Sequence, residues 1–96
     1  MSTFEFLKTL EMTIDERINS PKKDSYTSSL ADQGILRVSK KLGEEAVEVV
    51  LAASAESADR LTEESADLIY HLLVLLRLRG LELENVISEL EKRHNK

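Results

Sequence analysis

Apolar residues recur at three- and four-residue steps through most of this chain, the spacing that places them on one face of an α-helix. Phe4, Leu7, Leu10, Ile14 and Ile18 mark a first amphipathic helix over residues 2–18. The pattern breaks at Asn19-Ser20-Pro21-Lys22-Lys23-Asp24-Ser25, which combines Pro, Ser, Asn and Asp and predicts the main exposed loop. Thr27 or Ser28 can then cap a short helix that stops near Gly34, because Gly takes the left-handed conformation that ends helices. A long helix is expected over residues 35–55. Gly43 inside it costs about 1 kcal/mol relative to Ala, so it marks either a close approach of another group or a local tolerance. Ser57-Ala58-Asp59 offers the cap of a second long helix reaching Arg79, with Gly80 ending it. Leu83, Val86, Ile87 and Leu90 mark a last amphipathic helix.

The spacing thus predicts one all-α domain over residues 1–96, a bundle of four long helices plus a short one, with no internal repeat and no linker. Composition agrees, since 4% aromatics, three Gly and one Pro leave little material for a turn-rich β fold. The absence of cysteine excludes disulfides, zinc-thiolate sites and a thiol nucleophile. The apolar runs Leu68-Ile69-Tyr70 and Leu72 to Leu76 are too short to cross a bilayer, and the first residues lack a basic region followed by an apolar run. A cytoplasmic protein with no membrane partner is expected.

Charge changes the picture more. Eighteen acidic residues against 13 Lys and Arg argue against the basic footprint of a nucleic-acid-binding domain. An anionic partner would need metal ions or a local basic patch.

The acids concentrate in two segments. At about 100° per residue, Glu44, Glu45 and Glu48 project from one side of the first long helix, with Leu42, Ala46, Val49, Val50 and Ala53 opposite. By themselves these three read as a solvated helix face. Glu64 and Asp67 reverse that reading, because they lie about 60° apart on a helix that is otherwise apolar nearly all round. Carboxylates on a buried helix must be paired, protonated or bound to a cation. An all-oxygen donor set suits a hard cation, Mg²⁺ or alternatively Mn²⁺, rather than zinc. A helix apolar on every side also predicts a homodimer, since 96 residues cannot easily surround it.

His71, one turn beyond Asp67, reads as a hydrogen-bonded core residue that orients its neighbours rather than a ligand. Tyr70 reads as packing, Glu63 as surface, and His94 lies in a polar tail. Lys41 projects between Glu44 and Glu45 on the helical wheel and Lys40 flanks the same face. Lys22, Lys23, Ser25, Tyr26 and Thr27 add charges and hydroxyls in the loop. Singly each reads as solvated decoration, but beside a metal cluster they suggest a polyphosphate site.

Three stretches carry a resemblance that covers nearly the whole chain: Ser25-Tyr26-Thr27, Lys40-Lys41-Leu42-Gly43-Glu44-Glu45-Ala46-Val47-Glu48-Val49, and Glu64-Ser65-Ala66-Asp67-Leu68-Ile69-Tyr70-His71-Leu72. Together they closely resemble the phosphoribosyl-ATP pyrophosphohydrolase family of histidine biosynthesis. That family belongs to the all-α NTP pyrophosphatases related to MazG and dimeric dUTPases, whose shared pattern is Glu-Glu-x-x-Glu followed by Glu-x-x-Asp. Both halves are complete here, separated by 15 residues. The resemblance implies a MazG-like helical bundle, Mg²⁺ on Glu45, Glu48, Glu64 and Asp67 with Glu44 close by, and phosphoribosyl-ATP as substrate. It implies hydrolysis to phosphoribosyl-AMP and pyrophosphate, with Glu45 or Glu48 activating water. The lysines and the loop hydroxyls would hold the leaving pyrophosphate or the distal phosphate. Two alternatives stay open, a housekeeping NTP or dNTP pyrophosphatase of the same superfamily and a non-enzymatic helical dimerisation module.

Overall fold

The computed structural model describes residues 3–94, which form α1 (Glu5–Asn19), α2 (Tyr26–Gln33), α3 (Ile35–Ala55), α4 (Ala58–Leu78) and α5 (Leu83–His94). The expected bundle of four long helices and a short one is therefore present. The first helix starts at Glu5, and position 2 of the expected helix lies outside the described residues. No helix among them is long and apolar enough to cross a membrane.

The cap of α2 differs from expectation. Ser25 takes an extended backbone and its Oγ accepts from the Ser28 N–H at 3.1 Å, so Ser25 is the N-cap in place of Thr27 or Ser28. Thr27 and Ser28 fall inside the first turn and are buried. Gly34, at φ 93°, closes α2 and opens α3 in a single residue: its N–H bonds back to Leu30 and Ala31, and its carbonyl accepts from Val38. Ser57 caps α4 by accepting from the Arg60 N–H, and Gly80, at φ 75°, follows its end.

α3 and α4, joined through Glu56 and Ser57, pack along one another as an antiparallel hairpin, and α1 and α2 cover one end of the pair. The core is Ile14 of α1, Leu30 of α2, Val38 of α3 and Leu73 and Val74 of α4, with Leu7, Leu10, Ile18, Tyr70, Leu75, Leu78 and, from α5, Leu83 packed around it. So few fully buried side chains make each one matter. Leu73→Ala is expected to cost about 3 kcal/mol, read as a shift in the urea midpoint at fixed protein concentration; a shift equivalent to less than about 1 kcal/mol would show that the site collapses around the smaller side chain.

α5 buries no residue of its own. It is tied by Glu11 of α1, whose carboxylate accepts from the Leu83 N–H at 2.6 Å, and by Arg77, which holds both Asp15 at 2.7 Å and the Leu81 carbonyl.

The orientation of α3 departs from the hydropathy reading. The face turned to the interior carries Val38, Glu45 and Ala52, while Ala46, Val50 and Ala53 are exposed and Leu42 and Val49 only half-buried. Its apolar stripe therefore faces outward, with Leu36 87% and Val50 63% exposed beside Val47 and Leu51. Asp67 is likewise exposed, and α4 is not buried all round in the single chain. Within that chain nothing lies within 4 Å of a Cβ built on Gly43. The accessible surface is 7021 Å², against about 5,500 Å² for a compact monomer of this mass. The radius of gyration is 14.5 Å, against about 12.5 Å for a chain of this length.

Candidate active site

Packing α3 on α4 brings Glu45 opposite Glu64 and Asp67. One carboxylate oxygen from each lies within 4.8 Å of the other two. Glu64 is 7% exposed and the Glu45 side chain 13%, whereas Asp67 opens to solvent. An open cavity of about 570 Å³ adjoins the trio, lined by Lys41, Glu44, Glu45, Val47, Glu48 and Glu64. The five acids singled out in the sequence thus divide: Glu45, Glu64 and Asp67 converge, while Glu44 and Glu48 line the cavity beside them. The helical spacing explains the division, since Glu45 lies on the face turned to α4 and its two companions sit about 100° and 60° round the helix.

Burial pushes the Glu45 carboxyl above its usual value near 4.5, and Asp67 and then Glu64 add to the effect, while His71 and Lys41 oppose it. A carboxyl raised in this way holds its proton more tightly folded than unfolded. Its contribution to stability is therefore lost as pH rises from the unfolded value through the raised folded one. Metal-free Glu45→Gln protein lacks that penalty, and in chelator it is expected to melt above the wild type near pH 7, the gap closing below about pH 4 as Glu45 protonates. Equal melting temperatures at neutral pH would show that the carboxylates are relaxed where they stand.

Three carboxylates in reach of one another, with no sulfur or imidazole nitrogen among the converging donors, fit a hard divalent cation. Arg60 supplies positive charge to the group in the structure: its guanidinium reaches Glu64 at 2.5 Å, Glu63 at 3.0 Å and Glu56 at 3.4 Å. Arg60 is absent from the sequence expectations, although its three- and four-residue spacing from Glu63 and Glu64 on α4 is the signal that would have found it.

His71 is buried, as expected of a hydrogen-bonded core residue. Its Nδ1 lies 2.8 Å from the Asp67 carbonyl and its Nε2 2.9 Å from the Tyr26 hydroxyl, and the ring stands 3.8 Å from Glu45 Oε1. The loop residues named as phosphate contacts have varied placements. Lys22 and Lys23 are exposed, Ser25 spends its hydroxyl on the α2 cap, and the buried Thr27 hydroxyl bonds to Tyr70. Lys41 lines the cavity, whereas Lys40 is exposed and does not.

Residues 7–94 match the profile of the phosphoribosyl-ATP pyrophosphohydrolase family. The chain is 53% identical over 89 residues to a phosphoribosyl-ATP pyrophosphatase of Pyrobaculum islandicum, covering 93% of this chain and 95% of that one. A phosphoribosyl-ATP pyrophosphatase of Rhizobium rhizogenes is 48% identical over 87 residues, 91% of this chain and 84% of its own. A histidine biosynthesis bifunctional protein of Xylella fastidiosa is 48% identical over 90 residues, and the chain spans only 44% of its length. With matches of this extent, the chain belongs to the phosphoribosyl-ATP pyrophosphohydrolase family.

Proposed function

We propose that this protein hydrolyses the α-β phosphoanhydride of 1-(5-phospho-β-D-ribosyl)-ATP, releasing pyrophosphate and phosphoribosyl-AMP, the second step of histidine biosynthesis. The convergence of Glu45, Glu64 and Asp67 beside a cavity bearing Lys41, in a chain of this family, supports that function above all. Glu45, Glu64 and Asp67 would hold Mg²⁺, with Glu48 and Glu44 within the same cavity. Bound there, such an ion would neutralise phosphate charge and lower the pKa of a bound water. Glu45, with its proton affinity raised by its surroundings, suits the orientation and deprotonation of the attacking water, and Glu48 is the second choice. Lys41 would bind phosphate oxygens from the cavity wall, and Lys40, Lys22 and Lys23 would add charge from its approaches. The decisive measurement is pyrophosphate release from phosphoribosyl-ATP and from a panel of dNTPs, with and without Mg²⁺. Preference for the dNTPs would favour a housekeeping pyrophosphatase, and no turnover of any nucleotide would favour a dimerisation module.

The protein is further proposed to act as a homodimer through the outward stripe of α3. The excess surface and the exposed Leu36, Val47, Val50 and Leu51 support this, because contiguous apolar patches of this kind mark interfaces. Sedimentation at micromolar concentration is expected to show a dimer for the wild type and a monomer for Val50→Lys. A monomeric wild type would refute the assembly.

A further inference from the structure

Two consecutive residues at the start of α2 are bonded to two consecutive residues of α4. Tyr26 meets His71 and Thr27 meets Tyr70, across 45 and 43 residues of chain. The chemistry of the acceptors fixes the direction of the first bond. A backbone carbonyl only accepts, so His71 Nδ1 must carry the hydrogen it gives to Asp67. In the neutral ring Nε2 is then an acceptor, and the Tyr26 hydroxyl donates to it. The Tyr26 and Tyr70 rings stack at 6.0 Å and 24°; Thr27 is only 7% exposed, whereas Tyr26 stands 51% exposed at the outer edge of the contact and meets the buried His71 there.

The same turn of α2 holds the preceding loop. Ser28 Oγ accepts from the Lys22 N–H at 3.0 Å and donates to the Arg17 carbonyl at 2.7 Å. The Ser25 N–H returns to the Lys22 carbonyl at 3.0 Å. The loop is thus fastened to α2, and α2 is fastened to α4 one turn from Asp67, where His71 abuts Glu45.

We propose that Thr27-Tyr70 and Tyr26-His71 form a double latch whose role is positioning: it fixes α2, and with it the loop bearing Lys22 and Lys23, to α4 one turn from Asp67, and Thr27 acts through this bond rather than by touching substrate. The buried Thr27 hydroxyl is costly to leave unpaired, which makes that half of the latch stiff.

The test pairs Thr27→Val with Tyr70→Phe, singly and together, with Thr27→Ser as the conservative variant. Tryptic cleavage after Lys22 and Lys23, followed by mass spectrometry on the folded protein, is expected to accelerate about tenfold in both single variants. The double variant should cleave no faster than either single one, because the two changes break one bond. Thr27→Ser should behave as wild type. This arm needs no substrate, whereas the kinetic arm rests on the hydrolase function proposed above. There KM for phosphoribosyl-ATP should rise about tenfold with kcat and the Mg²⁺ dependence within twofold, the pattern of lost substrate binding rather than lost chemistry. Unchanged cleavage in both single variants, additive acceleration in the double variant, or a fall in kcat at constant KM would overturn the latch. Altered cleavage in a protein that turns over no nucleotide would leave the latch standing and remove the hydrolase.

Discussion

Glu45→Gln protein is expected to release pyrophosphate about 10³-fold more slowly than wild type at saturating Mg²⁺, with its helical spectrum unchanged. The substitution preserves the shape of the side chain and removes the charge. Among the three glutamates of α3, Glu45 alone converges with Glu64 and Asp67, and it is the one whose proton affinity is raised by burial and neighbouring charge. Glu44→Gln removes an acid from the cavity wall instead, and its loss is expected to stay within about tenfold. Comparing the two separates a specific role from a general need for negative potential. Wild-type rates from Glu45→Gln would rule out the carboxylate mechanism.

Magnesium is expected to raise the melting temperature of the wild type and to leave a Glu64→Ala, Asp67→Ala double variant unmoved. A ligand present at a hundredfold excess over its dissociation constant stabilises the folded state by about 2.7 kcal/mol. For a domain of this size each kcal/mol shifts the midpoint by roughly 4–8 °C, so the wild-type increment should be on the order of 10 °C or more. Three carboxylates held within 4.8 Å repel one another without a cation, and the bound ion removes that repulsion as well as adding its own bonds. Matching ionic strength with KCl isolates specific binding from screening. An equal rise in the double variant would place the ion elsewhere.

Most of the helical order is legible in the sequence, because several of the boundaries have a chemical marker. Gly34, Ser57 and Gly80 stand where helices stop or start, and the three-to-four periodicity fills the intervals. The spacing of Glu64 and Asp67 likewise points to a cation site without any fold. What periodicity cannot decide is which stripe of a helix turns inward. On α3 the more apolar stripe lies outside, and a seam holding Val38, Glu45 and Ala52 faces α4. A buried acid supported by a neighbouring helix and an apolar face open to solvent both run against the simple rule of burial, and each marks a place where function or assembly sets the residue. The contacts from Tyr26 and Thr27 to Tyr70 and His71 were hidden for another reason. They join residues more than 40 positions apart, and nothing local in a sequence reports such a pairing.

Gly34 has a consequence for how this architecture can change in length. One residue serves as both the end of α2 and the start of α3, leaving no slack to absorb an insertion. An added residue there would turn the α3-α4 hairpin by about 100° relative to α2, carrying Tyr70 and His71 away from Thr27 and Tyr26. The joint therefore behaves as a ruler, setting the phase between the hydroxyl-bearing turn and the acids. A chimera spliced at Gly34 must therefore preserve its spacing to keep the two halves in register.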